Sequence, residues 1–199
     1  MRERLSYGNA TVNKGKKYIT KGIYKLVIKD VEEVTKTAKG TDTDYLKFTF
    51  DIADGEFKGY YASDYENQTG EKKWWKGTFS AFVPVDDGTE RDKKTANRFK
   101  TLMNAFEESN NGYHWDWNEK GLINKTIYGT FRNREYEAGR WTVECSMFVS
   151  AKEVEEKRVW SGWLEDKPLN GSGTASGNSA ITTDFVSVAA DTLAELPFN

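Results

Sequence analysis

Alternating apolar and polar runs, one amphipathic helical pattern and a closing stretch too polar for a core predict an all-β protein with one helix. The element order is three strands, a helix and two strands. That is the order of an OB-fold, a five-stranded Greek-key barrel with the helix between strands 3 and 4. A flexible C-terminal tail completes the expected organisation. The 199 residues suit one domain, expected over 1–163, and an appendage over 164–199.

"KGIYKLVIKDVEEV" is rich in β-branched residues and predicts the first strand. "TKTAKGTDT" supplies a turn. In "DYLKFTFDI", Leu46, Phe48, Phe50 and Ile52 alternate with Tyr45, Lys47, Thr49 and Asp51, which gives one buried and one wet face. "GEFKGYYASDY" follows the turn signal "ADGE" and predicts a third strand. "NQTGEKKWWKG" predicts a loop, and "TFSAFVPV" another short strand. A helix is expected over 90–108. Thr89 and Asp92 have capping-box spacing, and Ala96, Phe99, Met103 and Phe106 share one face, with Gly112 as the stop. "KTIYGTFRN" and "WTVECSMFV" predict the last two strands around the turn-rich "REYEAGR". In the final strand Trp141, Val143, Cys145, Met147 and Val149 share one face. Thr142, Glu144, Ser146 and Phe148 share the other. Trp141 and Phe99 are assigned to the core. "SAKEVEEKRVW" predicts a short charged helix, and the tether is expected to start near Lys167.

The single cysteine excludes an internal disulfide, and "MRERLSYGNATVNKGKK" has no apolar stretch resembling a secretion signal. A cytoplasmic setting and no membrane association are therefore expected. His114 is the only histidine and has no metal-ligand pattern around it. Cys145 falls on an inward-looking strand face, and no phosphate-binding glycine loop occurs. No catalytic residue, metal or cofactor is expected.

The net charge of −2 hides an asymmetry. Residues 1–50 carry 11 basic and 6 acidic residues, whereas residues 164–199 carry one Lys and five acids. A basic front and an acidic tail point to two different partners. The 7 Trp, 10 Tyr and 11 Phe exceed what one small core uses. Several are interleaved with cations: Lys58, Tyr60, Tyr61 and Tyr65; Lys72, Lys73, Trp74, Trp75 and Lys76; Arg132, Arg134, Tyr136 and Arg140. Lys16, Lys17, Lys36, Lys39 and Lys47 add further positive charge. Adjacent residues of an extended segment face opposite ways, so Trp74 and Trp75 cannot both enter one core. Exposed rings stack bases without reading sequence, and Lys and Arg neutralise the backbone, which is the chemistry of single-strand binding.

The Gly-Glu-Phe-Lys-Gly segment, the helix ending in "FEESNNGY" and the block "GLINKTIYGTFRNREY" carry a likeness to a family. Over roughly 20–150 the chain resembles the single-stranded-DNA-binding proteins encoded by phages and prophages of Gram-positive bacteria. The resemblance implies an OB-fold, sequence-tolerant binding of single-stranded DNA, and a role in phage replication or recombination. The closing "DTLAELPFN" is similar to the acidic Pro-Phe tip of bacterial single-stranded-DNA-binding proteins in Asp191, Glu195, Leu196, Pro197 and Phe198. It departs in its sparser acids and in Asn199, which follows Phe198. The likeness implies that the tail recruits replication or recombination proteins. Two other classes stay open: a mobile-element interaction protein acting on a protein target, and an aromatic-rich sugar-binding module. A homo-oligomer is compatible with all three.

Overall fold

The computed structural model describes residues 15, 17–38 and 41–169. Lys16, Lys39 and the tip residues Asp191, Glu195, Leu196, Pro197 and Phe198 lie outside them. Five strands form one antiparallel sheet: β1 (Gly22–Ala38), β2 (Thr41–Ile52), β3 (Thr78–Phe82), β4 (Thr126–Glu137) and β5 (Arg140–Val149). The order across the sheet is β3-β2-β1-β4-β5. Helices α1 (Tyr60–Glu66), α2 (Glu90–Ser109) and α3 (Ala151–Glu155) are inserted between or after the strands. The sheet is open but curled, so that its two edges meet through side chains. Phe79 of β3 stacks on Phe148 of β5 with ring centroids 4.3 Å apart.

Alternation builds this core. Leu46, Phe48, Phe50 and Ile52 of β2 are all buried, as their spacing predicts. In β1 the register shifts at Lys29, between Ile28 paired with Phe50 and Asp30 paired with Thr49. The bulge lets Leu26, Ile28 and Val31 all face inward despite their odd spacing. From α2, Phe99, Leu102, Met103 and Phe106 close the core. Phe106 stacks on Phe48 at 5.8 Å.

Three sequence expectations are corrected. First, 55–65 is not a strand. Gly55 and Gly59 take left-handed backbone at φ +72° and +71°. The Asp51 carboxylate accepts hydrogen bonds from the Tyr61 and Ala62 amides (2.9 and 3.2 Å). Left-handed glycines bend the chain, and the carboxylate satisfies amides at the start of α1, so a helix forms. The third strand is β3.

Second, α2 starts at Thr89 but without a reciprocal box. Thr89 Oγ1 accepts from the Asp92 amide at 3.1 Å, and the Asp92 carboxylate accepts from Val85 and Asp86 instead, each at 2.9 Å. The Asp side chain is too short to reach back to the cap. The helix stops at Asn110 rather than Gly112. The Asn110 amide donates to Phe106 O and Thr126 O and accepts from the Thr126 amide, which ties the helix end to β4.

Third, the faces of β5 switch midway. Thr130 pairs with Met147 but Phe131 pairs with Cys145, leaving Ser146 as an extra residue. Past this bulge Phe148 turns into the core, while Trp141 ends 47% exposed. Ser146 itself is buried and satisfied, sharing a 2.8 Å hydrogen bond with the Thr130 hydroxyl. Phe148 touches Phe48, Phe50, Phe79 and Phe106. Phe148→Ala is expected to cost about 3–5 kcal/mol through lost burial and the cavity left behind. Urea unfolding checks this; a loss below about 1 kcal/mol contradicts the central position given to Phe148.

Candidate functional site

Where β3 and β5 meet without hydrogen bonding, they leave a cleft of about 710 Å³. One wall is the segment Trp74–Thr78 with α1. The other is the β4–β5 hairpin, with Asn133, Arg134, Tyr136, Trp141 and Thr142. Four rings on this cleft are open to solvent: Tyr18, Trp74, Tyr136 and Trp141, between 43% and 68% exposed. Large rings left in water on one concave surface mark a binding site better than scattered ones do.

The Trp pair is split as strand geometry requires. Trp75 turns inward, donates its indole N–H to Phe50 O at 2.9 Å and tilts against Tyr65. Trp74 turns outward. Its backbone is clamped by one side chain: Gln68 accepts from the Trp74 amide at 3.0 Å and donates to its carbonyl at 2.9 Å. Gly77 runs so close to β2 that a Cβ there would lie 2.4 Å from Phe50 O. Lys76 pairs with the buried Asp64 at 2.9 Å and sits over the Trp74 ring at 5.9 Å. The outward ring is thus held on a rigid mount with a cation beside it.

Of the residues singled out in the sequence, the cleft brings together Tyr60, Tyr61, Trp74, Trp75, Lys76, Arg134 and Tyr136. Tyr61 is a correction. It is buried against Phe50, and burial raises its hydroxyl pKa well above the ordinary value, so no ring face is left for a ligand. Tyr60 is half-buried between Phe57 and Tyr61. Tyr65 stays partly exposed, with Lys73 over its ring at 5.8 Å. Arg132 forks onto Glu144 with two 3.0 Å contacts. Arg140 pairs with Glu137 at 3.2 Å, Lys47 with Glu32 at 3.5 Å, and Lys17 with Glu56. Lys36, Lys58 and Lys72 are exposed and do not line the cleft. Lys17, Lys47, Arg132 and Arg140 are thus matched with acidic partners and do not form a bare positive patch.

Sequence reasoning missed Trp141 and left Tyr18 out of the site. Trp141 follows the hairpin turn directly, beyond the reach of the core, and that position is the available signal. Cys145 lies on the cleft floor, but burial pushes its thiol well above the ordinary range, which suits a small apolar filler and not a nucleophile. Among the described residues no group of three or more His, Cys, Asp or Glu is placed to hold a metal ion, and no helix is long and apolar enough to cross a membrane.

Residues 166–169, where a tether is expected, are hydrogen-bonded along β4. Lys167 N donates to Asn133 O, and Glu135 N donates to Lys167 O. Asp166 accepts from Lys21 and Asn133 at 3.0 and 3.1 Å, and Glu135 accepts from the Leu169 amide at 3.0 Å. Both carboxyls are held below their ordinary pKa, Asp166 chiefly by the Lys21 hydrogen bond and Glu135 by the Leu169 amide. A depressed carboxylate pKa adds stability that is complete above the unfolded value and lost as pH falls through the folded one. Attachment of this strap is therefore expected to weaken below about pH 4, where free Asp and Glu begin to protonate. Amide exchange at Lys167 and Leu169 measured between pH 6 and 3 checks it. A protection factor, taken against the intrinsic rate at each pH, that falls no more than that of the β1 core amides contradicts the anchoring.

No known family model matches the chain, and no curated protein sequence does.

Proposed function

We propose that this chain is a non-enzymatic single-stranded-DNA-binding protein with an OB-fold body. The observation that carries this reading is the set of four exposed rings, Tyr18, Trp74, Tyr136 and Trp141, on one cleft with Arg134 and Lys76. Rings of this kind stack any base, and the cations meet the backbone. The strand order and the placement of α2 between β3 and β4 support the OB-fold assignment. In that fold nucleic acid is taken by the strand 2–3 face and the loops joining strands 1–2 and 4–5. The β4–β5 hairpin supplies Tyr136 and Trp141 to the cleft. The setting proposed from the sequence resemblance is phage or prophage replication or recombination in the host cytoplasm. The acidic, apolar tail recruits partner proteins.

Titration with oligo-dT is expected to quench Trp fluorescence strongly at low salt and less at high salt. No quenching at low salt with micromolar protein overturns the reading. Quenching by neutral oligosaccharides in its place supports a sugar-binding module. Trp74→Ala or Trp141→Ala should each weaken oligo-dT binding by about 5- to 150-fold, the worth of one stacked base. Unchanged affinity in both removes the cleft from the interface. Deleting 184–199 is expected to leave oligo-dT affinity equal or higher. A large loss contradicts the division of labour between body and tail.

A further inference from the structure

β1 ends at Gly22, opposite Phe131, so from Arg132 onward β4 has lost its neighbour on that side. Residues 166–169 occupy the vacated edge. Lys167 bridges to Arg134 in parallel register, with main-chain bonds of 2.8 Å to Asn133 O and 2.9 Å from the Glu135 amide. Alternate residues of a strand share a face, so Arg132 and Arg134 project together, and Glu144 lies directly across from Arg132 on β5. The bridge adds Lys167 to the same row.

This places three cations around one carboxylate. Arg132 holds Glu144 Oε1 by two 3.0 Å contacts, and Arg134 reaches Oε2 only at 3.7 Å. Lys167 makes no ion pair among the described residues. The adjacent acid, Asp166, is committed to Lys21 and Asn133. Arg132 and Arg134 are only 19% and 23% exposed, so water screens these two charges poorly, while Lys167 stands exposed beside them. The Lys167 ammonium is destabilised first by burial, while Glu144 favours it and the two guanidiniums oppose it. The cluster carries two uncompensated positive charges in a partly covered place. A tetrahedral oxyanion would offset them, since guanidinium forks match phosphate geometry.

We propose that Arg132, Arg134 and Lys167 form a phosphate-binding subsite beside the cleft, joined to it by Arg134 and occupied by a phosphodiester of the bound strand. The identity of that carrier rests on the DNA-binding reading. Arg134 lines the cleft with Tyr136, and the strand row places Arg132 and Lys167 beside it, so a strand held in the cleft passes its phosphates over Arg134 toward the cluster. The only Lys of residues 164–199 thus works with the body and not with the acidic tail.

Oligo-dT affinity measured against salt for the full chain, Lys167→Gln and Lys167→Arg tests this. One phosphate contact on a single strand contributes about 0.7 to the slope of log affinity against log salt. Lys167→Gln is expected to lower the slope by about that amount with quenching amplitude unchanged, and Lys167→Arg to retain it. An unchanged slope in Lys167→Gln, with binding intact, overturns the subsite. If the full chain binds no oligo-dT, the functional reading fails, and inorganic tripolyphosphate decides the subsite alone. A rise in Tm with tripolyphosphate that Lys167→Gln abolishes upholds it; no rise, or a rise equal in the variant, overturns it.

Discussion

Everything in this fold depends on Phe148 reaching the middle of the core. It stacks on Phe79 of the opposite sheet edge and meets Phe48, Phe50 and Phe106. That position requires the extra residue at Ser146, which turns the strand over. Without the bulge, strict alternation would send Phe148 to the outside. Cys145 and Phe148 then both face inward. The edges of the sheet are joined there by rings rather than by backbone hydrogen bonds.

The same choice creates the cleft. A seam closed by rings at one point stays open elsewhere, and the residues along that opening are aromatic on both sides. Each ring is sorted by what lies behind it. Tyr61 has core behind it and is buried, and Trp75 packs partly buried against the same core; Trp74 and Trp141 have none and stand in solvent. The charges follow a similar division. Lys76 is held by Asp64 and Arg132 by Glu144, which fixes their positions and removes part of their positive field. Part of the excess that survives is on β4 and the strap that pairs with it.

Much of the architecture was legible in the sequence because it rests on local pattern. β2 shows its buried face in four apolar residues spaced by two. α2 shows its buried stripe and its Thr89 cap. The opposite facing of Trp74 and Trp75 follows from adjacency alone. The failures share one cause, a partner distant in sequence. The segment 55–65 reads as a strand until Asp51 is seen to accept the Tyr61 and Ala62 amides. Trp141 reads as core until the β4–β5 hairpin is seen to carry it past the core, although it keeps the face of the buried Cys145. Residues 166–169 read as a polar tether because their hydrogen-bond partners are more than thirty residues away on β4.

The sequence by itself determined the all-β character, the main helix and the surplus of rings beyond one core, since periodicity and composition are local quantities. Only the tertiary structure decided which rings face solvent, which acid neutralises which cation, and that Lys167 joins Arg132 and Arg134. Those outcomes depend on register shifts of a single residue and on pairings across long loops. A one-residue shift exchanges the two faces of a strand at almost no cost to its local pattern.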